Sequence, residues 1–354
     1  MTRAGAIVLL AALACAGPRQ ALGPRPRKIA LLPPENRSGV VAPMNEVRAA
    51  IGAALRAQGV PVVDDAAMDQ FVANHRVRNT AGIDRATAAA AAEELGADAV
   101  LVSVLDLYQP ARPAKFGLAL RLVSTAEGAI LWIDGEARTS DESPGLLDLG
   151  VLDLKGLQAR IYRDLAASLA AWRNGEGSRA PACDGGRRFR PDSRFRAKSL
   201  DLSAPKTVAV LPFLNESQRR AAGELVALQL ARQLEASGRF RVVEPGEMRD
   251  ELRRYRIVME NGVSLDVARV LLELVHADLV VGGTVYDYQD AEDAPMVDFS
   301  AVVLQRQGEE IVWQSTSHAR GDDGVFILDA GRVGTASALS CRMARALVDD
   351  LLRR

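Results

Sequence analysis

The chain has 354 residues, 48% of them hydrophobic and 25% charged, with a formal net charge of −1. That length allows two or three domains, each able to bury a core. The charge balance excludes a general electrostatic pull toward nucleic acid, and three Cys and three His far apart in sequence give no metal-ligand spacing.

The chain opens "MTRAGAIVLLAALAC", with Arg3, an apolar run from Ala4 to Ala14, and Cys15. A run of about 11 residues suits a signal-peptide core and falls short of the ~20 that a spanning helix needs. Residues 1–14 are therefore expected to be a signal peptide. Cys15 directly after Ala12-Leu13-Ala14 resembles a bacterial lipoprotein cleavage box. The resemblance implies a lipidated Cys15 with residues 15–27 as a tether. No Asp follows the Cys, so the expected location is the periplasmic face of the outer membrane. Acyl chains contribute ~0.8 kcal/mol per buried CH₂, enough in combination to hold a protein on a membrane.

Next comes a short apolar strand, Ile29–Leu32, ended by Pro33, which lacks an N–H and suits a strand end. The loop that follows carries Asn36 and Ser38, and an amphipathic helix then runs to Gly59, a C-terminal stop. A second strand ("VPVVD"), a helix ("DAAMDQFVANH") and a helix behind the capping Asp84 come next. A long strand ("ADAVLVSVLDLYQ"), a hairpin and a closing helix over Leu146–Trp172 complete a domain at 28–173. Residues 174–205 lose apolar periodicity and are rich in Gly, Pro, Ser and Arg, so they are expected to be a flexible linker. Its basic residues could touch an anionic envelope surface or simply be solvated.

Residues 206–354 then repeat the pattern. "VAVLPFLNES" matches "IALLPPENRS", and Pro212, Asn215 and Ser217 stand where Pro33, Asn36 and Ser38 stood. Met68, Tyr108 and Trp132 recur as Met248, Tyr288 and Trp313, an offset of about 180 residues throughout. A third helix after Ser264 and a closing helix over Val325–Leu352 are the counterparts in this half. The order β-α-β-α-α-β-β-β-α, with non-alternating early strands and alternating late ones, predicts an α/β fold. It consists of two tandem copies of a mixed sheet of about five strands flanked by helices.

The blocks "VAVLPFLNES", "SGRFRVVEPGEM", "ADLVVGGTVYDY" and "EEIVWQSTSHARGDD" resemble the domain shared by the TolB amino-terminal domain, the periplasmic part of the curli-secretion channel and several small outer-membrane lipoproteins. The second copy follows the pattern more closely; the first has Pro34 for Phe213. The resemblance implies this fold and an envelope compartment, and it leaves function open, because one fold serves many functions. The loops Gln289–Met296 and Arg306–Glu310 are too short for membrane hairpins, which makes a pore-forming role doubtful.

Candidate chemistry is sparse. The Pro-x-x-Asn-x-Ser loops lack the Gly-rich turn and Lys of a phosphate loop, so Asn36, Ser38, Asn215 and Ser217 are expected to cap backbone groups. "HARGDDG" gathers His318, Arg320, Asp322 and Asp323, with Arg138 and Asp141 at the corresponding corner of the first copy. These are expected to be ion pairs or caps; the alternative is an enzyme built on the Arg320-Gly321-Asp322-Asp323 corner. Cys183 and Cys341 can pair in an oxidising compartment, or can be a free linker thiol and a helix-packing residue. No cofactor is expected. Taken together, these features suggest a non-enzymatic outer-membrane lipoprotein that binds an envelope protein partner through a binding or assembly module. A ring-forming, homo-oligomeric subunit of a secretion or envelope machine is the alternative.

Overall fold

Strand β1 (Ile29–Leu31) is buried on both faces and pairs in parallel with β3 (Ala99–Gln109), which explains its lack of alternation. The computed structural model describes residues 25–141, 153–181, 183, 189–256, 265–291, 294–308, 310–325 and 331–353. Cys15 and Ser264 lie outside them. After Pro33 the chain re-engages β3 through the two-residue strand β2 (Glu35–Asn36), which the sequence reading does not anticipate. Helix α1 (Met44–Ala57) follows. The expected second strand is only a bridge, Ile29 to Val62. Helices α2 (Asp65–Asn74) and α3 (Arg85–Leu95) are capped by Asp64 and Asp84, whose carboxylates accept backbone N–H groups. Strands β4 (Lys115–Ser124) and β5 (Ile130–Thr139) extend the sheet antiparallel in the order β1-β3-β4-β5. The closing helix α4 (Leu154–Asn174) begins after Asp153, whose side chain accepts Gly156 N–H, and so starts later than the expected Leu146.

The second half repeats this plan. It runs β7 (Lys206–Val210), β8 (Leu214–Asn215), α5 (Ala222–Ala236), β9 (Phe240–Val242), α6 (Pro245–Arg254) and α7 (Leu265–Leu274). Strands β10 (Leu279–Gln289), β11 (Met296–Gln305) and β12 (Ile311–Arg320) and helix α8 (Ala336–Leu352) complete it. Thr335 caps α8 through Ala338 N–H, so that helix starts well after the expected Val325. The first sheet has five strands and the second seven; with β6 (Ser193–Arg196) at one edge, its order is β6-β12-β11-β10-β7-β9 with β8 on β10. The extra edge strand, β6, comes from the segment read as flexible linker and pairs antiparallel with β12. Cys183 of the same segment is disulfide-bonded to Cys341 on α8. Part of the expected linker is thus built into the second half.

One face of each sheet packs against its own first and last helices: α1 and α4 over Phe116, Leu118 and Trp132, and α5 and α8 over Phe299, Ala301 and Trp313. The opposite face is covered at one end by the two middle helices, α2 and α3 over Val100 and Val102, and α6 and α7 over Val280 and Leu304. The remainder of that opposite face positions the candidate site. Alternation along the strands brings Lys115, Gly117, Ala119 and Arg121 there in the first copy. Helices α5 and α8 of the second copy contact β5 at this face, and Ile130 and Ile133 belong to the second copy's core.

Candidate functional site

The seam between the copies holds most of the charged side chains that are buried. Arg121 sits in an apolar strand ("FGLALRLVS") and is almost fully enclosed. Its Nε and Nη2 donate to both oxygens of Glu244 at 2.7 and 2.9 Å, with side-chain exposures of 4% and 0%. Its Nη2 also donates to the Ala81 carbonyl at 2.8 Å. Glu244 is the N-cap of α6, accepting Gly246 N–H, and it accepts Ile83 N–H as well. One carboxylate therefore starts a helix in the second copy and anchors a strand and a loop in the first. A bidentate, fully hydrogen-bonded pair is the form in which buried charges are tolerated.

Two further contacts flank this pair. Arg232 on α5 donates to Asp134 Oδ1 at 2.5 Å and to the Gly135 carbonyl at 2.7 Å. Arg219 donates to the Ser38 carbonyl and, at 2.6 Å, to the Asp106 carbonyl. The Asp106 carboxylate accepts the Ser337 hydroxyl at 2.5 Å. Burial pushes its pKa up from 3.8 to about 6, and the nearby Asp290 adds to the rise, while Ser337 and Arg219 oppose it. Burial likewise raises Asp290. Lys115 is enclosed and donates to the Asp290 and Ala291 carbonyls at 3.2 Å. The backbones themselves meet at Gly246, where a Cβ would lie 2.2 Å from Ile83 N. The corresponding residue of the first copy, away from the seam, is Ala66.

The paired Asn-x-Ser loops come together at this seam. Asn36 Oδ1 accepts Ser38 N–H at 3.0 Å, and Asn215 Oδ1 accepts Ser217 N–H at 3.1 Å. The amides donate to the Val40 and Arg219 carbonyls at 2.7 and 2.9 Å. Both loops are self-satisfied turns entered after Pro33 and Pro212. Between them Arg37 pairs with Glu224 at 3.0 Å.

The acidic corner lies elsewhere, at the far end of β12. Arg320 Nε pairs with Asp322 at 3.3 Å, and its backbone N–H donates to Asp323 at 2.7 Å, all at an exposed turn. In the first copy Arg138 pairs with Glu136, and Asp141 accepts the Ser140 hydroxyl. Glu136 and Arg138 line a cleft that also takes in Arg232, Cys183 and Cys341. Among the described residues, no group of three or more His, Cys, Asp or Glu could hold a metal ion.

Sequence reasoning missed Arg121, Asp134, Arg219, Arg232 and Glu244. Two signals were present: single charges inside otherwise apolar strands, and the difference between copies, since Arg121 stands where the second copy has Val302.

No family model matches the chain, and no curated protein matches it. Among solved structures, the chain is similar to a PelC dodecamer from Paraburkholderia phytofirmans at 17% identity, covering 46% of this chain and 96% of that one, with a TM-score of 0.32. It is similar to the lipoprotein GNA1162 from Neisseria meningitidis at 22% identity, covering 40% and 99%, with a TM-score of 0.31. The LpoB C-terminal domain from Escherichia coli matches at 17% identity over 35% and 87%, with a TM-score of 0.27.

Proposed function

We propose that the protein is a non-enzymatic envelope lipoprotein that binds a protein partner through the uncovered sheet face of its second copy. The observation that carries this reading is internal to the molecule. In the first copy this face of the sheet is occupied by protein, helices α5 and α8. In the second copy the same face presents Tyr286, Asp298, Thr316 and His318 to solvent. Tyr286 is 46% exposed, its hydroxyl lies 3.3 Å from Ser300 Oγ, and His318 lies 3.5 Å from Asp298. Tyrosine with polar neighbours is a composition that protein interfaces favour. The signal-like run and Cys15 supply the expected anchor to the outer membrane.

A photo-crosslinker at Tyr286 or Thr316, in cells, should capture one envelope protein, while one at Glu93 on α3 should not. Equal capture from all three positions would remove the basis for the reading. A Cys15→Ala chain should leave the membrane fraction, and its retention there would contradict the anchor. A second molecule of this chain would not rebuild the seam on the open face, because α1 carries Ala53 where α5 carries Arg232. The purified protein is therefore expected to be monomeric in detergent at micromolar concentration; a large homo-oligomer would instead support a ring-forming subunit.

A further inference from the structure

Beside the Arg121–Glu244 pair, the seam opens into a cleft of about 550 Å³, a volume typical of small-molecule sites. Its wall is mainly apolar, with Val104 from the first copy facing Val210, Leu225, Leu228 and Met248 from the second. Four arginines, Arg37, Arg121, Arg249 and Arg253, also line it, against one lining carboxylate, Glu224. Glu35 and Glu224 both pair with Arg37, and Glu244 pairs with Arg121. Arg249, on α6, has no hydrogen bond or ion pair to any described residue. Its side chain is half-buried, and burial lowers its pKa from the ordinary arginine value while Glu224 and Glu244 oppose the fall. A partly buried guanidinium with no hydrogen-bonded counter-ion is costly, and four lining arginines against one lining carboxylate leave the cleft positive.

The first copy shows what a filled version looks like. Position 249 corresponds to Asp69, and the facing position on the preceding helix, Ala227, corresponds to Arg48. There Arg48 reaches across and pairs with both Asp69 and Asp65, and the notch between the two helices is occupied by that side chain. In the second copy Ala227 leaves the notch open and lines the cleft, while Arg249 faces it. The second copy thus has an arginine-lined cavity where the first has an internal ion pair.

We propose that this cleft binds a single-chain amphiphilic anion, with its carboxylate or phosphate head on Arg249 and its chain along the Val104, Leu225, Leu228 and Met248 wall. The apolar wall excludes a bare anion as the best occupant, and the excess of arginines in the lining excludes a cation. Arg253 at the rim, loosely paired with Asp250 at 3.6 Å and mostly exposed, adds positive charge at the entrance.

Calorimetric titration of the full chain carrying Cys15→Ser, so that no acyl group of its own competes, tests the assignment. Myristate, tetradecyl phosphate, inorganic phosphate and tetradecyltrimethylammonium would be compared below their micellar concentrations. Myristate and tetradecyl phosphate should bind with one-to-one stoichiometry, and their ranking separates a fatty-acid site from a lipid-phosphate site. Inorganic phosphate and the cation should bind at least about tenfold more weakly. Arg249→Gln should weaken both anionic amphiphiles about tenfold or more, the scale of one charge-assisted contact, without lowering the melting temperature, and Arg249→Lys should restore part of the loss. Equal binding of the cation, unchanged binding by Arg249→Gln, or binding of neither amphiphile would overturn the proposal.

Discussion

The two copies carry the same sheet, and the same face of that sheet has met opposite fates. In the first copy the face is covered, and it reads Val104, Gly117, Ala119, Ile133, Gly135 and Ala137, with Asp106 and Arg121 set among them. In the second copy the corresponding positions are Thr284, Asp298, Ser300, Gln314, Thr316 and His318, with Tyr286 and Val302 for the two charges. Small and apolar residues let helices α5 and α8 approach. The charged residues placed among them are answered by Ser337 and Glu244 from the other copy. The open face carries polar side chains instead, several of them paired with each other, as His318 is with Asp298. Likeness between the copies marks the fold, and unlikeness marks the seam.

Several substitutions test this contrast. The largest effect is expected for Arg121→Ala, which strands Glu244 in a fully enclosed position; breaking a buried pair in this way costs about 3–5 kcal/mol. Val302→Ala, at the corresponding site of the second copy, should cost about 2 kcal/mol or less. Urea denaturation at neutral pH measures both.

Next is the pH dependence set by Asp106. Its pKa is raised from 3.8 to about 6 in the folded chain, so between those values the folded protein holds a proton that the unfolded chain has released. Stability therefore falls as pH rises from about 4 to about 6, by at most about 3 kcal/mol, and is level in this respect above that window. Asp106→Asn should flatten that part of the profile while keeping an oxygen to accept the Ser337 hydroxyl. A profile unchanged by the substitution would show that the carboxyl is not enclosed by the seam.

Gly246→Ala should cost about 2 kcal/mol, because its Cβ would overlap the Ile83 backbone. The reverse change at the corresponding site, Ala66→Gly, should cost about 1 kcal/mol or less. The smallest effect is expected at a helix end. Gly96 closes α3 with a φ of 61°, and His276 adopts a φ of 49° at the same place in the second copy. His276→Gly should therefore stabilise the chain by about 0.5–1 kcal/mol.

Much of the fold was legible because local chemistry and tertiary role agree. Pro33 and Pro212 end their strands, Asp84 caps α3, and the Asn-x-Ser loops close on themselves. The late starts of α4 and α8 were missed because the apolar periodicity extends past the Asp153 and Thr335 caps that set them. Strand β6 was missed because "SRFR" has no strand pattern of its own; it forms by adding to the free edge of β12. The seam was missed for a related reason. Glu244 reads locally as a helix cap, and it is one. Its second role with Arg121 depends on a residue far away in the chain, which no local pattern records.

The two copies are one packed unit held by buried charge pairs across the seam. A double-mutant cycle on Arg121→Met and Glu244→Gln, read by urea denaturation, tests it most directly. The structure predicts a coupling energy of at least about 2 kcal/mol between residues in different copies. A coupling below about 0.5 kcal/mol would contradict it.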